Sequence, residues 1–214
     1  MMLSMAESAA AADMGAVFKD LLSIVFTIVF VNNYVLHRFL GICSFLGVSK
    51  KLDSAIGMSA AVIFVMVAAT AVTWPIQTYI LDANGIGYMQ IAVFILVIAA
   101  LVQLVEMVCK RFFPPLYQAL GVYLPLITTN CAILGVTILN ITEGYNFLYS
   151  IVNSLGAGIG FMMAMVLFCG IRGRIEGCDT PKAFDGIPIT LVTAAILSVA
   201  FSGFTGVAAG IFGG

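Results

Sequence analysis

Residues 124–136 read Leu-Pro-Leu-Ile-Thr-Thr-Asn-Cys-Ala-Ile-Leu-Gly-Val, inside an uncharged run from 112 to 142. About 20 apolar residues carry a helix across the hydrocarbon core of a bilayer, so the run is long enough to span it. Yet Gly121, Pro125, Thr128-Thr129-Asn130 and Gly135 interrupt it. Such residues break a helix in lipid only where protein or a cavity re-satisfies the freed backbone groups. One other run is interrupted in this way, around residues 21–49, by Asn32-Asn33, His37, Arg38 and Gly41. The two broken runs also share a string. Cys43-Ser-Phe-Leu-Gly-Val48 and Cys131-Ala-Ile-Leu-Gly-Val136 both read C-x-x-L-G-V, 88 positions apart.

The rest of the chain extends this pattern. Of 214 residues, 62% are hydrophobic and 9% charged, against roughly 25% charged in a soluble domain. Further uncharged runs cover 54–81, 83–105, 144–171 and 186–214. They are apolar on every side, which excludes the alternation of barrel strands and leaves helices. The expected fold is therefore an all-α polytopic membrane protein with six spans. These lie at about 18–47 (interrupted), 55–81, 83–106, 114–141 (interrupted), 145–171 and 186–212. A polar N-terminal tail over 1–17 precedes a single membrane domain over 18–214. The tail lacks the basic start of a secretory signal and carries Glu7 and Asp13.

Lys50 and Lys51 fall between spans 1 and 2, Lys110 and Arg111 between 3 and 4, and Arg172, Arg174 and Lys182 between 5 and 6. The 2–3 turn has only Asp82 and the 4–5 turn only Glu143. The positive-inside rule puts the basic connections in the cytoplasm and both termini outside. Each copy of C-x-x-L-G-V opens a three-span half, repeat one over 18–110 and repeat two over 111–214. An odd number of spans inverts the second half relative to the first. Paired interrupted segments in inverted halves point to a functional site near the midplane.

What the repeated cysteines do has three readings. A buried membrane Cys can be a small hydrophobe. Cys43 and Cys131 could be joined as a disulfide, although the five cysteines form no CxxC and their odd count argues against a disulfide framework. They could also be two of the four thiolates that an iron–sulfur cluster normally takes, the other two coming from a second polypeptide.

Longer strings around these cysteines carry a family resemblance. They are Val31-Asn32-Asn33, Arg38-Phe-Leu-Gly-Ile-Cys43, Phe45-Leu-Gly-Val-Ser-Lys-Lys-Leu52 and Leu124 to Val136. Together they resemble the A-type subunits of Rnf ion-translocating ferredoxin:NAD oxidoreductases, with a subunit of the sodium-pumping NADH:quinone oxidoreductase as a near relative. The likeness runs from about residue 20 to 208; the N-terminal stretch is longer than is usual in the family. The resemblance implies six spans in an inverted repeat, paired with a homologous E-type subunit of opposite orientation. It implies one [2Fe–2S] cluster at their interface, with Cys43 and Cys131 as this chain's iron ligands. It also implies a multi-pass protein of a bacterial or archaeal cytoplasmic membrane, assembled with the complex's B-, C-, D- and G-type subunits. Cys109, Cys169 and Cys178 lie outside the motifs and are read as non-ligands.

Ser44 and Asn130, adjacent to the ligands, are candidates to hydrogen-bond near the cluster, and backbone capping of a broken helix accounts for them equally. Arg38, inside a span, either offsets the charge of a reduced cluster or snorkels to the interface. Glu106 and Lys110 have the spacing of a helical ion pair, and His37 reads as an interfacial contact. The glycines of span 5 (Gly156, Gly158, Gly160) and span 6 (Gly203, Gly206, Gly210) read as close-packing faces, expected to meet partner subunits. Thr205-Gly-Val-Ala does not match the Ser/Thr-Gly-Ala-Thr string of covalent flavin carriers, so flavins are expected on other subunits only. With a net charge of −1 and no basic tail, nucleic acid is not an expected partner. The reading is a membrane subunit of a redox-driven Na⁺ or H⁺ pump. Its rival is a stand-alone inverted-repeat secondary transporter, which would need polar substrate ligands at the midplane.

Overall fold

The computed structural model describes residues 24–48, 52–112, 124–175 and 186–203, with isolated positions between 177 and 184. The tail over 1–17, Lys50, Lys51, Gly121, Lys182, Gly206 and Gly210 lie outside the described residues, as does the side chain of Cys109. Among the described residues the regular elements are all helices, joined by turns and one irregular passage.

A π-helical stretch, Thr27–Val31, leads into an irregular passage and then α1, Ile42–Val48. The long α2, Leu52–Ile76, holds Pro75 near its end. Proline has no N–H to donate and crowds the preceding turn, and the helix widens just beyond it into a π-turn over Gln77–Leu81. Helix then continues through Asp82–Asn84, and Gly85 at φ +66° closes it. The expected turn at Asp82 is therefore displaced to Gly85-Ile86. Helix α3 covers Gln90–Phe112, α4 Leu124–Thr128, α5 Cys131–Thr142, α6 Phe147–Ile175 and α7 Ile187–Ser202.

Among the described residues, three helical stretches, Leu52–Asn84, Gly87–Val108 and Phe147–Ile175, are long and apolar enough to cross a membrane; Leu126–Thr142 and Ile187–Ser202 are shorter and also apolar. Helices α2 and α6 form the centre and run antiparallel. Thr70 bonds Ser154, Gly158 lies against Ile63, and Trp74 meets Phe147 ring to ring at 5.5 Å. Trp74 also donates its indole N–H to the Tyr145 carbonyl at 3.0 Å. This end of the bundle carries Asp82 and Glu143, while Lys110, Arg111, Arg172 and Arg174 lie in the last turns of α3 and α6 at the other.

The glycines of α6 do a different job from the one expected. A Cβ on Gly158 would sit 2.8 Å from Ile63 Cγ1, and one on Gly156 would sit 3.5 Å from the Val25 backbone. One on Gly160 would meet the Asn33 amide at 3.2 Å and the Val29 backbone at 3.4 Å. These glycines bring α2 and the first segment onto α6 within one chain, instead of receiving another subunit. Among the described residues α3 leaves a wide face open, with 17% of its spanning residues buried against 56% in α6, and α7 exposes Ile187, Ile196 and Val199.

Candidate functional site

Both interruptions fall where the sequence placed them, and each is repaired by side chains. Between Asn32 and Gly41 the first segment leaves its helix. Asn33, 1% exposed, fills the break. Its Nδ2 donates to the carbonyls of Val29 (3.2 Å) and Gly160 (2.8 Å), and its Oδ1 accepts from the N–H groups of Val35 (3.0 Å) and Leu36 (3.4 Å). Ser198 of α7 donates to the Leu36 carbonyl at 2.5 Å. One amide and one hydroxyl thus satisfy five backbone groups that lipid cannot. The sequence marks Asn33 as a breaker; its role as the filler needed the third dimension.

The second break, at Thr129-Asn130, is tighter. Asn130 is the N-cap of α5, its Oδ1 accepting from Ala132 N–H at 3.0 Å. Its Nδ2 reaches Ser44 Oγ at 3.4 Å, and Ser44 donates to the Gly41 carbonyl at 2.9 Å. Asn130 therefore caps its own half-helix, Ser44 ties itself back to the Gly41 carbonyl, and the two side chains touch across the two breaks.

The two motifs cross reciprocally. Gly41, at φ +84°, approaches Asn130, Ala132 and Phe161 so closely that a Cβ would lie 3.1–3.2 Å from each. Leu40 packs onto Gly135, where a Cβ would come within 2.6 Å of Leu40 Cδ1. In return Gly47 faces Leu126, 3.8 Å from where its Cβ would be. The glycine of each C-x-x-L-G-V string thus receives a leucine from the other interrupted segment. From this crossing the Gly41 N–H donates to Cys131 Sγ at 2.9 Å.

Cys131 is the first residue of α5, and Cys43 the second of α1. Both are free thiols and exposed, whereas Cys169 is buried in the core at 8% exposure. The small-hydrophobe reading fits Cys169 and not the repeated pair, and no disulfide joins the pair. Cys178 is exposed beyond the far end of α6, its thiol directed to the Arg174 carbonyl at 3.5 Å. Among the described residues no group of three Cys, His, Asp or Glu side chains could hold a metal ion. Where the two interrupted segments cross, Cys43 and Cys131 are both exposed.

Arg38 is exposed. Its guanidinium lies over the Tyr34 ring, 5.8 Å from the centroid, within reach of a cation–π attraction. It lines a cavity of about 260 Å³ with Asn32, Tyr34, Glu143, Tyr145 and Asn153. No sequence pattern signals this cavity, because its walls come from the first segment, the end of α5 and the start of α6. At the opposite end, Arg172 donates to the Leu46 carbonyl at 3.2 Å, tying the end of α1 to α6.

Fold and site together define a helical membrane protein with two exposed thiols where two broken helices cross. The Rnf-Nqr subunit family of membrane proteins matches residues 21–208, and the chain belongs to it. It is similar to the A-type subunit of the Na⁺-translocating ferredoxin:NAD⁺ oxidoreductase complex of Acetobacterium woodii, with 57% identity over 89% of this chain and 99% of that one. It is also similar to the A-type subunit of the ion-translocating oxidoreductase complex of Syntrophotalea carbinolica, 53% identical over 90% of this chain and all of that one. The Azoarcus counterpart is 55% identical over 82% of this chain and 91% of its own.

Proposed function

We propose that this chain is the A-type membrane subunit of an ion-translocating ferredoxin:NAD oxidoreductase, and that Cys43 and Cys131 ligate a [2Fe–2S] cluster shared with a homologous subunit. The observation that carries this is the exposure of both motif cysteines at the crossing of the two half-helices. Two thiolates make half of a Cys₄ set, and sulfurs on the surface of one chain are open to completion by another. When bound, such a cluster accepts and returns single electrons, which suits a relay between cofactors on opposite sides of a bilayer. Gly41 would point its N–H at a ligand sulfur, and hydrogen bonds of this kind set cluster potentials. Asn130 and Ser44 would hold the two half-helices, and with them the two sulfurs, at fixed separation. Flavins are assigned to other subunits.

The arrangement is read as six spans in two inverted halves, a reading favoured by the reciprocal Gly–Leu crossing and by the basic residues gathered at one end. That end faces the cytoplasm, and both termini lie outside the cytoplasmic membrane. The partners are an E-type subunit of opposite orientation, the B-, C-, D- and G-type subunits, and lipid. The test is the intact complex purified without oxygen. Iron content and a reduction-dependent EPR signal should vanish from this subunit pair when Cys43 becomes Ser, while flavin content is kept. Retention of both iron and signal would overturn the assignment.

A further inference from the structure

The cavity lined by Arg38 is not used by the cysteine site, and it joins groups of opposite charge to a buried amide side chain. Glu143 and Arg38 both line it, yet neither makes an ion pair among the described residues. Tyr34, Asn32 and Asn153 supply further polar wall. Asn153 is 1% exposed and its Oδ1 has no hydrogen-bond partner. A buried carbonyl oxygen left without a donor costs free energy unless something polar reaches it.

Behind Asn153 the polar chain continues into the bundle. Its Nδ2 donates to the side-chain oxygen of Asn140 and comes within 3.5 Å of the Tyr34 hydroxyl. Asn140 donates to Ser154 Oγ at 3.0 Å, and Ser154 pairs with Thr70 at 2.6 Å. Asn140, Asn153, Ser154 and Thr70 are each 1% exposed or less. Polar side chains buried within membrane spans tend to mark ion pathways, and this row begins at a cavity with room for several waters.

We propose that the cavity is a vestibule for a small hydrated monovalent cation, Na⁺ or H₃O⁺, with Asn153 and Glu143 supplying oxygen ligands. The proposal rests on the ion-translocating reading above, and on the orientation that places the Glu143 turn outside. Oxygen acceptors predominate among the polar groups of the wall, which suits a hard cation. Arg38, held back against Tyr34, balances the charge of Glu143 when no ion is present. Its positive charge also keeps binding weak, as an ion in transit requires.

The test uses the whole complex, purified and reconstituted into liposomes, with radioactive Na⁺ uptake in one arm and a trapped pH dye in the other. Asn153→Leu removes a ligand oxygen, Asn153→Asp restores one, and Glu143→Gln at the rim removes charge without disturbing the buried row. If Na⁺ is carried, half-saturating Na⁺ should rise about tenfold in Asn153→Leu and about threefold in Glu143→Gln, with Asp near wild type. If protons are carried, the Leu and Gln variants should move roughly half as many protons per electron or fewer, with the EPR signal of the cluster unchanged. Glu143→Gln leaving both half-saturating Na⁺ and protons per electron at their wild-type values would overturn the proposal, whether or not Asn153→Leu assembles. A wild-type complex that transfers electrons and moves neither ion would instead overturn the ion-pump reading itself.

Discussion

The backbone N–H of Gly41 and the sulfur of Cys131 are 2.9 Å apart although 90 residues separate them in the chain. The contact depends on Gly41 holding φ +84° with no side chain. A Cβ there would press on Asn130 Oδ1 and Phe161, each at 3.1 Å.

Gly41→Ala should therefore cost about 1–2 kcal/mol from the left-handed conformation alone, with the crowding added. A donor to a ligand sulfur stabilises the more negative, reduced cluster, so withdrawing it should lower the potential. Redox titration of the EPR signal in the intact complex measures the shift. An unchanged potential in a folded variant would mean that the hydrogen bond does not act on the cluster.

Cys43→Ser and Cys131→Ser should each abolish or cripple the cluster, since serine is a harder and far less acidic ligand. Cys109→Ser, Cys169→Ser and Cys178→Ser should keep iron and ferredoxin:NAD electron flow. Electrons should still enter the Cys43→Ser complex and stall before the flavins beyond the membrane. If one of the other three cysteines proves indispensable for iron while the motif pair does not, the ligands have been misassigned.

Asn33→Leu should fail to assemble. It strands the Gly160 and Val29 carbonyls and the N–H groups of Val35 and Leu36, at about 1–3 kcal/mol for each buried group left unmade. Asn32→Leu, one residue earlier and exposed, should assemble normally. Yield and thermal midpoint of the purified complex compare the two, and equal values would contradict the role given to Asn33.

Orientation is checked by fusions. With Lys110, Arg111, Arg172 and Arg174 at the cytoplasmic end, a C-terminal alkaline phosphatase should be active and a C-terminal green fluorescent protein dark. The opposite pair of results would reverse the chain in the membrane and remove the inverted-repeat argument.

The helical class and the places of both breaks were legible because charge and hydropathy alone decide what may enter lipid. The motif cysteines stood out for a related reason, since their strings coincide with the two interrupted runs. Span ends were less legible: the π-turn after Pro75 lets helix continue to Asn84, and nothing in the composition around Asp82 signals that. The neighbours of Gly156, Gly158 and Gly160 were also hidden. A small-residue face announces close approach but not which helix approaches, and here the neighbours are Val25, Ile63 and Val29 of the same chain. The cavity at Arg38 joins residues from 24 to 153, a conjunction that no local pattern encodes.

Exposure of both motif sulfurs, on the ligation proposed for them, sets an order of events in biogenesis. A newly inserted chain carries two bare thiols until its counterpart docks, so iron and sulfide delivery must be a late step, coincident with or following association. During that interval the pair is vulnerable to oxidants, and cells making this complex in air would need either rapid pairing or a chaperone that shields the crossing of the two half-helices.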